Sequence, residues 1–455
     1  MTRYFGTDGV RGIANKELTC EMAFTLGKAA VELLGPRLVL GRDTRRSGPM
    51  LEAALVAGIT SAGGDALLAG IVPTPTVALL VRELAAAGGV VISASHNAPE
   101  YNGIKFFDAE GYKLARELED AFEARLQGGR VKGTYNSTSP LTPAEPPVGA
   151  AVGSSYVVED AAERYIARAV ELMREQGIDL SGLKVAVDCG HGASYHTTPE
   201  ALRRLGAVVE AINTDFDGND INVGCGSTHL EQLKELVAKT GAHVGIAHDG
   251  DADRMLALDE VGNELDGDVI EAICALDLKA RGRLAHDTVV STVMCNLGFI
   301  AAMRDNGIEV VQTAVGDSNV LAAMREGGYS IGGEQSGHMI LLEQNSTGDG
   351  LATALQLLAT MRRSGLSLSK MSTGIAKYPQ IIENVKVSNR EGFEASEPIR
   401  RAVEETTARL GSQGRVLLRP SGTEPLVRVM VEAQDEQTVR LEAKRLAAVV
   451  AQELG

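Results

Sequence analysis

Short apolar runs that end in glycine- and aspartate-rich loops recur along this chain, and that recurrence constrains the fold more than any other feature. Arg37-Leu38-Val39-Leu40 runs into Gly41-Arg42-Asp43-Thr44-Arg45-Arg46-Ser47-Gly48, and a helical pattern follows over 50–62. Gly88-Gly89-Val90-Val91-Ile92 delivers Ser93-Ala94-Ser95-His96-Asn97 after a helical stretch over 76–87. Residues 184–188 repeat the pattern into Cys189-Gly190-His191-Gly192-Ala193, after a helix over about 158–175. Apolar runs bounded by turn formers read as buried strands, and strands alternating with helices build parallel or mixed sheets. Further strands are expected at 208–212, 243–247, 255–258, 288–292 and 309–313. Towards the C-terminus the pattern changes: strands at 416–418 and 427–431 precede a closing helix over 436–454. The expected fold class is α/β, with three similar α/β domains of mixed sheets and a smaller C-terminal α+β domain.

Length agrees, because 455 residues make three or four domains at roughly 100–200 residues each. Residues 128–155 shift to Gly, Pro, Ser and Thr, which bury little apolar surface, so a domain boundary is placed near their end. Five cysteines, Cys20, Cys189, Cys225, Cys274 and Cys295, are scattered without a C-x-x-C pair. They read as reduced thiols, which points to the cytoplasm. No apolar run reaches the ~18 residues of a membrane span, and the N-terminus lacks the apolar core of a secretory signal. A net charge of −16 argues against nucleic acid or an anionic membrane as partner. An anionic substrate would then need a local positive site. Arg11, inside the turn cluster 5–12, and the three arginines of the 41–48 loop are the first candidates.

The loop after residue 92 sits at the C-terminal edge of a strand, where open α/β sheets bind ligands. Ser95 there is a candidate nucleophile or phosphoryl carrier, although Ser, His and Asn in loops also serve as turn and capping residues. Far downstream, Asp249, Asp251 and Asp253 alternate. In an extended loop they would turn three hard oxygen donors to one side, which suits Mg²⁺ or Ca²⁺. A calcium loop would place Glu260 at its twelfth position, but its sixth demands glycine and this chain has Arg254. Mg²⁺ is the expected ion. Gly332-Gly333-Glu334-Gln335-Ser336-Gly337-His338 offers a carboxylate, a hydroxyl and an imidazole suited to sugar hydroxyls. Arg419-Pro420-Ser421-Gly422-Thr423-Glu424-Pro425, followed by Arg428, has the donors of a phosphate cradle.

Together these four loops resemble the α-D-phosphohexomutase superfamily: a serine loop, a D-x-D-x-D-R metal loop, a G-E-x-S-G-H sugar loop and an R-x-S-G-T-E-P phosphate loop, in that order over essentially the whole chain. The resemblance implies four domains around a central cleft, at 1–155, 156–254, 255–368 and 369–455, each contributing one loop. Residues 5–12, Gln335 and residues 222–229 are similar to the amino-sugar branch of the superfamily. This implies that Ser95 is carried as phosphoserine, first phosphorylated by an activating kinase or a bisphosphate donor, and holds one Mg²⁺ with Asp249, Asp251 and Asp253. Glucosamine 6-phosphate would pass through a 1,6-bisphosphate to glucosamine 1-phosphate, for UDP-N-acetylglucosamine synthesis.

Lys105 and Arg254 would stabilise transferring charge, and His96, Lys105 and His338 are the candidates for acid and base. Arg11, Glu334 and Ser336, with Arg419, Ser421, Gly422, Thr423 and Arg428, would bind substrate. A homodimer is compatible with this reading. Two departures stand out. Ala98 displaces the usual proline and Tyr101 replaces a usual aspartate, while Ser318 and Asn319 stand where an arginine and an aromatic are usual. The principal alternative is a mutase for glucose or mannose phosphates. A Ser–His–Asp hydrolase would need a G-x-S-x-G elbow, which the chain lacks. A non-catalytic sugar-phosphate binding protein would have no use for a serine beside an aspartate triad.

Overall fold

The computed structural model describes residues 3–6, 8–127, 145–388, 392–393, 395–411, 414–420 and 426–455. The chain forms two compact units, Met1–Met294 with Glu309–Ser372, and Cys295–Ile308 with Thr373–Gly455.

Three sheets, all mixed, make up the first unit. The first orders its strands Phe5–Gly6, Gly9–Ile13, Tyr101–Phe107, Gly88–Ile92, Arg37–Arg42, Asp65–Ile71 and Ser155–Val157. Arg37–Arg42 lies parallel to both Gly88–Ile92 and Asp65–Ile71. Gly88–Ile92 is buried at every position, as its unbroken apolar pattern predicts. Helices Cys20–Leu33 and Gly48–Ser61 pack on this sheet and on each other. Their contact depends on glycine: a Cβ on Gly58 would stand 2.2 Å from the Phe24 carbonyl oxygen.

One element departs from the expected strand–loop–helix order. Residues 101–107, which follow the Ser93–Asn97 stretch, form an antiparallel strand that pairs Val91 with Lys105 and Ile92 with Ile104. The serine loop is therefore a hairpin connection. Consequently Lys105 is carried on the strand beside the one that delivers Ser95.

The second sheet is ordered Glu264–Leu265, Met255–Asp259, Val244–His248, Lys184–Asp188 and Val208–Ile212. Val244–His248 is parallel to Lys184–Asp188 and antiparallel to Met255–Asp259, so residues 249–254 are the tip of a hairpin. The third sheet runs Glu309–Thr313, Thr288–Thr292, Ile331–Gly333 and Met339–Leu341. Its last two strands form a second hairpin, with residues 334–338 between them.

The second unit holds an antiparallel sheet, Gln380–Lys386, Leu426–Ala433 and Gly414–Pro420, with helices Glu397–Leu410 and Glu436–Leu454. Apolar residues of both helices and the sheet share one core. Helix Leu297–Asp305 belongs here as well: Asn296 accepts from Tyr378 N and donates to Tyr378 O, each at 2.9 Å, and Glu432 accepts from Leu297 N at 2.8 Å. No helix among the described residues is long and apolar enough to cross a membrane.

Candidate active site

Ser95 sits at a bend, with φ 53° and 1% of its surface exposed. Left-handed backbone is costly for a residue with a Cβ and persists where its surroundings impose it. Here they do. The Ser95 N–H donates to Ser93 Oγ at 2.9 Å, and its carbonyl accepts from Arg45 Nη2 at 3.0 Å and Asn222 Nδ2 at 2.9 Å. Its hydroxyl donates to Asp249 Oδ2 at 2.6 Å, which joins the loop of the first sheet to the hairpin of the second. Gly250 permits that approach, because a Cβ there would lie 2.7 Å from the Ser95 carbonyl oxygen.

The three aspartates converge, but by a turn rather than through the extended loop that their alternation suggested. Ala252 has φ 53°, and its N–H closes on Asp249 O at 3.1 Å. One carboxylate oxygen from each of Asp249, Asp251 and Asp253 lies within 4.8 Å of the others, and all three residues are buried. Asp251 Oδ2 accepts from Thr74 Oγ1 at 2.6 Å and from Lys105 Nζ at 2.8 Å. Asp251 Oδ1 and Asp253 Oδ1 are buried with no hydrogen-bond partner among the described residues. An unpartnered buried carboxylate oxygen is costly, and a hard divalent cation would satisfy both. Glu260 lies at the far end of the Met255–Asp259 strand and accepts from Ser369 N at 3.2 Å, so the calcium-loop arrangement is not formed.

Cations are packed among these acids. Lys105 Nζ reaches Asp251 Oδ2 and Asp8 Oδ2 at 2.8 Å and Asp253 Oδ2 at 3.2 Å. Burial lowers its pKa, but the charges of Asp251, Asp253 and Asp8 outweigh burial and raise it well above the usual lysine value. Asp8 also binds Arg11 and, at 2.5 Å, Lys113 Nζ, and Lys113 in turn pairs with Asp317. Arg11 Nη1 donates to Asn97 Oδ1 at 3.4 Å. His96 Nδ1 stands 3.3 Å from Ser95 Oγ; burial, then Arg254 and Arg11, lower its pKa to about 4. Burial raises the Asp249 pKa well above the usual aspartate value, reinforced by Asp253 and Asp251.

The sugar-loop candidates adjoin this cluster. Arg254 forms an antiparallel bridge with His338, and Met255 N donates to Gly337 O at 3.0 Å. Arg254 Nε stands 3.8 Å from Asp253 Oδ1. His338 Nε2 is 3.3 Å from Asp317 Oδ2. Glu334 Oε1 accepts from Gly316 N at 3.1 Å, and Ser336 is exposed.

The first unit thus brings together Ser95, His96, Lys105, Arg11, the aspartate triad, Arg254 and the loop of Glu334 and His338. Arg419 and Arg428 belong to the second unit, facing each other across its antiparallel strands. Burial and the neighbouring Arg428 lower the Arg419 pKa. Ser421, Gly422 and Thr423 lie outside the described residues.

Sequence reasoning passed over Asp8, Thr74, Lys113, Asn222 and Asp317 as site residues. Asp8 and Asn222 lie within motifs noted above, and Thr74 opens a helix in a Pro-Thr-Pro-Thr run. Two of the three 41–48 arginines are taken up within the chain: Arg45 is fully buried, and Arg42 Nε binds Glu52 at 2.8 Å.

Family models of the phosphoglucomutase/phosphomannomutase domains match the chain in series. Alpha/beta/alpha domain I covers residues 2–131, domain II 163–262, domain III 266–378 and the C-terminal domain 383–449. A phosphoglucosamine mutase of Symbiobacterium thermophilum is 51% identical, with the whole of both chains covered. One from Clostridium acetobutylicum is 49% identical over 99% of each. A solved phosphoglucomutase/phosphomannomutase family protein from Burkholderia thailandensis superposes with a TM-score of 0.80 at 25% identity, covering 98% of this chain and 97% of the other. The fold is also that of Aspergillus fumigatus N-acetylphosphoglucosamine mutase, solved with GlcNAc-6P and magnesium, at a TM-score of 0.69 and 18% identity over 100% and 96% of the two chains.

Proposed function

The chain belongs to the phosphoglucomutase/phosphomannomutase family, and from that premise we propose that it interconverts glucosamine 6-phosphate and glucosamine 1-phosphate. It is an enzyme, an intramolecular phosphotransferase. The observation that carries the reading is the buried Ser95 hydroxyl held 2.6 Å from Asp249, at the edge of a carboxylate cluster with two unpartnered oxygens. Full-length likeness to proteins named phosphoglucosamine mutase supports the amino sugar over glucose or mannose phosphates.

In this reading Ser95 is the phosphoryl carrier. Its phosphate moves to O1 of glucosamine 6-phosphate, and the bisphosphate, turned within the site, returns a phosphoryl group from O6 to Ser95. Phosphoryl transfer asks mainly for in-line positioning and charge stabilisation. Lys105, charged at neutral pH, and Arg254 supply the charge. His96, neutral by virtue of its lowered pKa, can accept a proton near Ser95 Oγ, and His338 is the second candidate for proton transfer. Arg11, Glu334 and Ser336 bind the sugar phosphate. Arg419 and Arg428, with Ser421, Gly422 and Thr423, hold the phosphate that is not reacting.

Asp249, Asp251 and Asp253, with an oxygen on Ser95, would hold Mg²⁺, which when bound neutralises charge on the transferring group. A kinase or a bisphosphate donor provides the first phosphate, and the product feeds UDP-N-acetylglucosamine synthesis in the cytoplasm. The test is coupled turnover of glucosamine 6-phosphate beside glucose and mannose 1-phosphates. Preference for the amino sugar is expected, and preference for a neutral sugar overturns the assignment.

Metal binding should also release a proton. Asp249 has a raised pKa without the ion, so below that value a metal must displace the proton it carries. Affinity for Mg²⁺ should therefore rise with pH through the Asp249 titration and level off above it. Calorimetry over a series of pH values, each in two buffers of different ionisation enthalpy, should show proton release that fades as pH rises, and a binding heat that ignores the buffer at every pH would contradict this.

A further inference from the structure

We propose that Arg45 is a positioning residue, whose buried guanidinium holds the Ser95 loop in the bend that places its hydroxyl on Asp249, with Asn222 clamping the same loop from the connection after strand Val208–Ile212. The proposal deepens the phosphoserine reading and rests on it.

Arg45 is fully buried, and each nitrogen of its side chain donates within the chain. Nε donates to Asp43 Oδ2 at 2.9 Å. Nη1 donates to the carbonyls of Ala98 at 2.6 Å and Tyr101 at 3.1 Å, and Nη2 to those of Ser95 at 3.0 Å and Asn97 at 2.8 Å. Four main-chain carbonyls of one hairpin connection thus converge on one planar fork. A lysine could not reproduce this, because its ammonium is a compact point charge.

Asn222 repeats part of the grip from another domain. Its Nδ2 donates to Ser95 O at 2.9 Å and Asn97 O at 3.1 Å, so each of those carbonyls accepts from both residues. The grip closes on itself. Asp43 Oδ2 also accepts from Ser93 Oγ at 2.7 Å, and Ser93 Oγ accepts from Ser95 N at 2.9 Å. Both sides of Ser95, its N–H and its carbonyl, are therefore tied through Asp43 and Arg45 while φ stays at 53°. Neither Arg45 nor Asn222 touches the carboxylate oxygens of the triad in any of these bonds. Through these bonds they act on the Ser95 loop.

The test compares Arg45→Lys and Asn222→Ala with the wild-type chain in three readouts. First, Mn²⁺ affinity should stay within about threefold, because the aspartate hairpin keeps its own bonds. Second, the amides of Asn97 and Tyr101, which bond Ala94 O and Ala98 O inside the loop, should exchange hydrogen roughly tenfold faster, while amides of the Val244–His248 strand keep wild-type protection. Third, kcat should fall about 10- to 100-fold with little change in KM, since a misplaced nucleophile loses rate rather than binding.

Wild-type loop exchange together with wild-type kcat in both variants would overturn the proposal. So would general acceleration of exchange with loss of Mn²⁺ binding, which marks an ordinary core residue. If the wild-type chain itself takes no phosphate on Ser95, the phosphoserine reading fails; the loop-exchange arm still decides whether Arg45 and Asn222 hold the bend.

Discussion

Ser95→Ala is expected to abolish turnover of glucosamine 6-phosphate, with a loss of roughly 10⁴-fold or more, while the protein stays folded. The size follows from the role. A carrier that forms and breaks the only covalent enzyme bond of the cycle has no substitute, whereas a substrate-contacting hydroxyl contributes one hydrogen bond, about 0.5–1.5 kcal/mol or some tenfold in rate. The fold should tolerate the change because alanine can occupy the same bend, held by main-chain bonds to Ser93, Arg45 and Asn222 that do not involve the hydroxyl. What is lost besides the nucleophile is the 2.6 Å donation to Asp249. A melting curve and a coupled assay on the same preparation separate the two effects. Loss of only about tenfold would reduce Ser95 to a binding group.

Lys105→Met should have the second largest effect, and should move stability, metal affinity and turnover in different directions. The ammonium neutralises Asp8, Asp251 and Asp253 together, with 2% of its side chain exposed. Removing one partner of a buried ion pair typically costs about 3–5 kcal/mol, because the remaining charges are left uncompensated. Thermal unfolding without metal should fall accordingly. Mg²⁺ should restore more stability to the variant than to the wild type and bind it more tightly, since the rival cation at Asp251 and Asp253 is gone. Turnover should nevertheless drop by roughly 10³-fold, the order lost when a charge aimed at a phosphoryl transition state is removed. Weaker metal binding in the variant would mean that Lys105 supports the metal loop rather than competes with the ion.

Much of the architecture was legible because it is written locally. The strands at 88–92, 184–188, 208–212, 288–292 and 309–313 and the helix at 436–454 have the bounds that apolar pattern and turn residues predict. Strand Tyr101–Phe107 was missed for a physical reason: Asn102-Gly103 reads as a turn, yet Gly103 is a close-packed strand residue whose Cβ would meet Ser93 O at 2.4 Å. The candidate loops were recognisable by residue type, and Ser95, Lys105 and the triad do meet. Their supporting partners were not recognisable, because Thr74–Asp251 and Asn222–Ser95 join residues 177 and 127 positions apart, and no periodicity reports such pairs. Arg45 carries a further lesson. Three arginines in a glycine-bounded loop suggested an anion site, but for Arg45 it is Asp43, two residues away, and four carbonyls of the serine loop that take up the guanidinium.

The central claim, that Ser95 carries the phosphoryl group between sugars, is tested most directly by a chase. The wild-type chain is phosphorylated with labelled glucosamine 1,6-bisphosphate, the label is mapped by peptide mass spectrometry, and unlabelled glucosamine 6-phosphate is then added with Mg²⁺. The account predicts label on Ser95 and its transfer to sugar within the time of a few turnovers. Label that stays on the protein while turnover proceeds, or that maps to another residue, would contradict it.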